Sequence, residues 1–224
     1  IEQGTLSSVL VEGNGGSNSI ELGSLAPLSV QRGELGESIA RGKLEIQHLR
    51  GYPTIDQLGG LWNYAGDMGD SDLKAQGLVR IADGDQAVLN KITAREREVP
   101  VDSPRDIQGR AIVAITDGAE LTVNAGIHEE GKARASVLVV GQSEEGVPSE
   151  LQLLNSKDLG STHTGPTIVA RGARLTAASG ALSPVSKTLV GQDGSLIDIA
   201  GDQQVNRLLV RAGGAFSGGE GSSL

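Results

Sequence analysis

The chain has 224 residues, a formal charge of −9, 33 glycines, no cysteine and only four aromatic residues. That length suits one domain with a core that needs no disulfide or metal. Absent cysteine excludes disulfides, zinc-thiolate sites and thiol nucleophiles. The acidic balance argues against nucleic acid and against an anionic membrane surface. No apolar run reaches the ~18 residues of a membrane span, so no membrane insertion is expected from this segment. Scarce aromatics disfavour an immunoglobulin-like core, and abundant Val, Ile and Leu disfavour disorder. No signal peptide is read at Ile1; either none exists or the chain is a mature or excised fragment.

In chain order, short β-branched or alternating segments predict strands at 5–11, 43–47, 78–82, 110–115, 120–124, 135–140, 167–170, 174–177, 195–200 and 205–210. Glycine, Asn, Asp or Pro separates them, which is an all-β signal. Residues 85–98 are the exception. Val88, Leu89 and Ile92 fit one helical face, with Asp85 as N-cap and a stop before Pro100. A short helix there competes with an extended excursion. The final residues, 217–224, read as a flexible tail.

An internal repeat organises the rest. DGAELTVNAG at 117–126 returns as RGARLTAASG at 171–180, and VVGQ at 139–142 returns as LVGQ at 189–192. A strand of four or five residues cannot bury its apolar face alone. Coiling the chain so that each strand pairs in parallel with the next buries a narrow, continuous core. Such a core favours Val, Ile, Leu, Ala and Thr over large rings. The expected fold is therefore one domain over 1–216, a right-handed parallel β-helix with rungs of roughly 20 residues. An antiparallel β-sandwich or barrel is the alternative.

The Gly-Ala-x-Leu-Thr strand openings, the acidic cysteine-free composition and the Gly/Ser/Ala-rich turns carry a likeness, best over 107–216. They resemble the passenger domains of Gram-negative autotransporters and filamentous-haemagglutinin-like adhesins. The Asn-Pro-Asn motifs of the haemagglutinin amino-terminal domain and the C-terminal membrane barrel of an autotransporter do not occur in this chain. The resemblance implies a cell-surface or secreted rod with adhesive, host-binding roles and a protein or glycan receptor. A bacteriophage tail or virion component and a β-helical polysaccharide-active enzyme are the competing readings.

Motifs for chemistry are few. GIHEEGKA at 126–133 approaches a phosphate-binding loop, but Ala133 stands where Ser or Thr must hold Mg²⁺, and a strand follows where a helix is needed. A charged turn is the expectation, with no cofactor. His48, His128 and His163 form no metal or catalytic motif, and no nucleophile-elbow sequence occurs; no catalytic residue is assigned. Asp67, Asp70, Asp72, Asp83 and Asp85 lack calcium-loop spacing, so no metal site is expected. The segment 51–72 holds three of the four aromatics and the only Met. It reads as an irregular aromatic and acidic excursion. Either Tyr52, Trp62 and Tyr64 project to bind a ligand, or they plug a bend of the rod.

Overall fold

The computed structural model describes residues 9–10, 17–21, 30–31, 43–47, 54–96, 109–156, 159–191, 195–199 and 201–218. Seventeen strands run through them: β1 Val9–Leu10, β2 Ser17–Glu21, β3 Val30–Gln31, β4 Lys43–Gln47, β5 Thr54–Ile81 and β6 Gln86–Ala94. Then come β7 Arg110–Thr116, β8 Glu120–Val123, β9 Ile127–Glu129, β10 Arg134–Val140, β11 Glu150–Leu153 and β12 Thr167–Ala170. The last are β13 Arg174–Ala177, β14 Lys187–Val190, β15 Leu196–Ile199, β16 Arg207–Val210 and β17 Ala215–Gly218.

Among the described residues every strand pairing is parallel, and from β10 onward each strand pairs with the second strand after it along the chain. One side of the stack runs from the end of β5 through β7, β10, β12, β14 and β16. A second runs from β6 through β8, β11, β13, β15 and β17. The antiparallel alternative is thereby overturned, because among the described residues the only antiparallel bridge is an isolated one between Gln142 and Pro148 in a loop. The result is an all-β, β-helix-like coil of parallel strands. Successive strands on the first side are offset by 34, 24, 30, 21 and 20 residues. The early rungs are thus longer than the expected 20 residues, because their corners carry inserted loops.

Period-2 alternation places the core. Val79, Val113 and Val137 align in one inward column that continues through Thr167 and Thr188. Ile81, Ile115, Val139, Val169 and Val190 form the next column, each fully buried. On the second side Ala87, Leu121, Leu151 and Leu175 do the same. Outward neighbours such as Ile112, 45% exposed, face solvent. Between the two sides three rungs turn in two residues, both with positive φ: Asp83–Gly84, Asp117–Gly118 and Arg171–Gly172. These left-handed pairs reverse the chain tightly enough to keep the rung narrow.

Three expectations need correction. Residues 86–94 are strand β6, not helix. Pairing with β5 on one flank and β8 on the other satisfies its backbone, which a marginal helical periodicity cannot outweigh. Asp85 is no N-cap; its carbonyl accepts the Glu120 amide at 2.9 Å. The segment 54–72 is not an excursion but part of β5, which pairs with β4, β6 and β7 in succession. Finally, Ser217 and Gly218 belong to β17 rather than to a tail.

Candidate functional site

Two of the three aromatic residues of the segment 51–72 are buried. Tyr64 is fully buried and Trp62 is 7% exposed. Their ring centroids lie 6.4 Å apart in a stacked arrangement, and Tyr64 donates a buried hydrogen bond to Gln57 Oε1 at 3.0 Å. Burial raises the Tyr64 phenol well above its ordinary pKa. Trp62 and Tyr64 therefore pack in the core rather than projecting from it. Tyr52 lies outside the described residues.

The other sequence candidates are spread apart. Asp72 is held by Lys91 at 2.9 Å and Asn90 at 2.6 Å, and Asp67 accepts the Gly69 amide at 3.0 Å. Residues 126–133 form β9 and the turn into β10. His48 lies outside the described residues, whereas His128 on β9 lies beside the segment of His163, whose amide donates to the Ile127 carbonyl at 3.2 Å. His128 Nε2 donates to the Ala125 carbonyl at 2.7 Å, and Nδ1 lies 3.0 Å from Thr162 Oγ1. Glu129 accepts the Ala135 and Thr164 amides, both at 2.8 Å, and Arg134 reaches Thr164 Oγ1. His163 is 2% exposed, with Nε2 at 2.9 Å from Thr167 Oγ1. Burial lowers its pKa to about 4, against smaller upward pulls from the Ile127 backbone and Glu129, while the His128 charge lowers it further. This cluster ties rungs together.

The surface feature with the shape of a site lies at the corner between the first two sides. Where its neighbours turn in two residues, one rung projects the loop 141–149. Within it, the Ser143 amide donates to the Val147 carbonyl at 2.8 Å and Gly146 to the Ser143 carbonyl at 2.9 Å. Ser149 Oγ anchors the loop base, accepting from the Gly118 amide at 3.0 Å and donating to the Val140 carbonyl at 3.1 Å. The loop overhangs the preceding corner so closely that a Cβ on Gly118 would stand 2.7 Å from Ser143 Cβ.

Beneath the overhang is an open cleft of about 670 Å³, whose lining includes Glu120, Glu150, Arg174, Glu144, Val147 and Pro148. Glu120, Glu150 and Arg174 share one column across three rungs. Each carboxylate is steadied from the next rung: Gln152 Nε2 donates to Glu120 Oε1 at 2.8 Å, and Thr176 Oγ1 to Glu150 Oε1 at 3.1 Å. Arg174 stands 3.7 Å from Glu150. Such an arrangement offers positioned acceptors, a guanidinium at one end and the half-exposed Val147 as an apolar wall. It suits a ligand rich in hydroxyl donors. Sequence reasoning missed it because uneven rung lengths hide which residues share a column; only the Gly- and Pro-containing SEEGVP segment hinted at a loop. Among the described residues no group of three potential metal ligands gathers, and no helix is long and apolar enough to cross a membrane. No protein-family model, curated protein or solved structure matches the chain.

Proposed function

We propose that the chain is a right-handed β-helical, non-catalytic module of adhesin type, secreted or displayed on a bacterial cell surface, which binds a protein or glycan receptor. The corner cleft carries this reading. A stack that needs only two-residue turns instead projects a nine-residue loop over two hydrogen-bonded carboxylates. Loops held by a rigid scaffold are where binding residues concentrate. Hydroxyl groups of a glycan would donate to Glu120 and Glu150, with a less polar sugar face against Val147 and Pro148.

The test is binding of the whole chain to arrays of glycans and extracellular-matrix proteins, repeated with Glu120→Gln and Glu150→Gln. Specific binding that falls about tenfold or more in either variant supports the reading. Binding indifferent to both would remove the cleft from it. The paired carboxylates one rung apart favour the polysaccharide-active enzyme as the second reading. Turnover of acidic polysaccharides, lost in the same two variants, would replace adhesion with catalysis.

A further inference from the structure

The outer surfaces of the two long sides differ in chemistry. On the second side the outward column runs Thr122, Gln152, Thr176 and Asp198, all polar. On the first side the outward column runs Ala114, Leu138, Ile168 and Leu189, all apolar, with Leu78 and Ile112 beside it. Leu138, Ile168 and Leu189 are half-buried and Ile112 is exposed. The strands β7, β10, β12 and β14 each have a partner strand on both flanks, so this strip is a lateral face and not an end of the stack.

The two margins of the strip carry opposite charge. Residues 78–81 and strands β7, β10, β12 and β14 contain no acidic residue, in a chain with 28 of them. Where these strands begin, Arg110, Arg134 and Lys187 occupy exposed outward positions. Where they end, the corners bring Asp83, Asp117, Glu144 and Glu145, all exposed, with Arg171 as the exception. Asp117 pairs with Arg80 at 3.3 Å, yet its side chain keeps 57% of its exposure.

Two such faces can pack as sheet on sheet, about 10 Å apart. With the two stacks running in opposite directions, basic margin would meet basic margin. A two-fold axis parallel to the stacks instead sets each basic margin against the acidic margin of the other copy. Both pairs of margins are then complementary, and Arg134 of one copy stands level with the Glu144–Glu145 loop of the other. Five strands at ~4.8 Å and up to seven residues at ~3.3 Å give a contact on the order of 1,000 Å² over both copies, the size of a reversible dimer.

We propose that the outer face of the first side is an interaction surface for a second copy of this chain, the two stacks lying side by side in the same direction with their facing strands antiparallel.

Sedimentation velocity on the full chain, from micromolar to millimolar concentration, tests this. The expected result is a monomer–dimer equilibrium that stops at the dimer, because an isologous contact closes on itself. Leu138→Lys should weaken dimerisation at least about tenfold. The double variants Arg110→Glu, Arg134→Glu and Glu144→Lys, Glu145→Lys should each do the same. Mixing these two double variants should restore a dimer between them, since both margins are complementary again, which a merely misfolded protein would not do. The chain has no cysteine, so single replacements report the geometry. Arg110→Cys should cross-link to Asp117→Cys and not to itself. A wild-type chain that stays monomeric throughout overturns the inference. So does growth beyond the dimer, association that ignores the charge reversals, or Arg110→Cys cross-linking to itself more readily than to Asp117→Cys.

Discussion

Leu121 and Leu175 stand in the same inward column, two rungs apart, with Leu151 between them. Both belong to the internal sequence repeat, whose 54-residue spacing is therefore the span of two rungs and not one. All three side chains are fully buried. The second echo has no such basis. VVGQ and LVGQ align Val139 with Leu189, but the ladder carries Val139 through Val169 to Val190, so the echo is one residue out of register.

Leu151 accordingly tests the column. It is sealed above and below by leucines, so its neighbours cannot easily close the gap left by truncation. Leu151→Ala should destabilise by about 3–5 kcal/mol, read from the urea midpoint at unchanged slope. Leu138→Ala, half-buried on the outward face of β10, should cost far less. Equal losses would mean that the inward and outward assignment is wrong.

Two corner glycines separate backbone strain from crowding. Gly84 and Gly118 have nearly equal φ, 76° and 78°, so alanine pays a similar left-handed penalty of about 1 kcal/mol at each. A Cβ at Gly84 meets nothing within 4 Å, whereas at Gly118 it meets Ser143 Cβ at 2.7 Å. Gly118→Ala should therefore be the more damaging by about 1 kcal/mol or more, and it should disturb the 141–149 loop. Thermal melts of the two variants measure the difference.

Trp62 is the only tryptophan, so its fluorescence reports one environment. Burial against Tyr64 predicts blue-shifted emission that iodide quenches poorly. Trp62→Ala should cost about 3–5 kcal/mol. Red, readily quenched emission would contradict the packing of β5.

His163 predicts an acid-side loss of stability. Its pKa is about 4 when folded and near 6.5 when unfolded. Between these values the unfolded chain binds the extra proton, so stability falls as pH drops from 6.5 to 4 and this contribution levels off below. The full effect is about 3 kcal/mol at 1.36 kcal/mol per pKa unit. Other groups titrate in that range as well, so the measurement is the difference between wild type and His163→Gln. That difference should change with pH across this window and nowhere above it.

Strand identity was legible locally. KLEIQ, TIVA and RLTA coincide with β4, β12 and β13, because β-branched and alternating apolar residues bounded by turn formers specify a half-buried strand from sequence neighbours alone. The parallel coil was legible too, from aromatic scarcity and the 117–126/171–180 repeat, since a narrow core admits few large rings. Other features depended on partners distant in the chain. Val88, Leu89 and Ile92 have a periodicity compatible with a helix, and the flanking strands β5 and β8 decided otherwise by pairing with both backbone edges. For Trp62 and Tyr64 the sequence left open a projecting loop or a plug of the rod, and the packing of β5 put them in the core. Glu120, Glu150 and Arg174 became neighbours only through rung offsets of 30 and 24 residues. Those offsets are set by loop lengths at the corners, and loop length changes at little free-energy cost. The residues within a strand therefore determine its inward face, while only the assembled stack determines which residues of different rungs share a column.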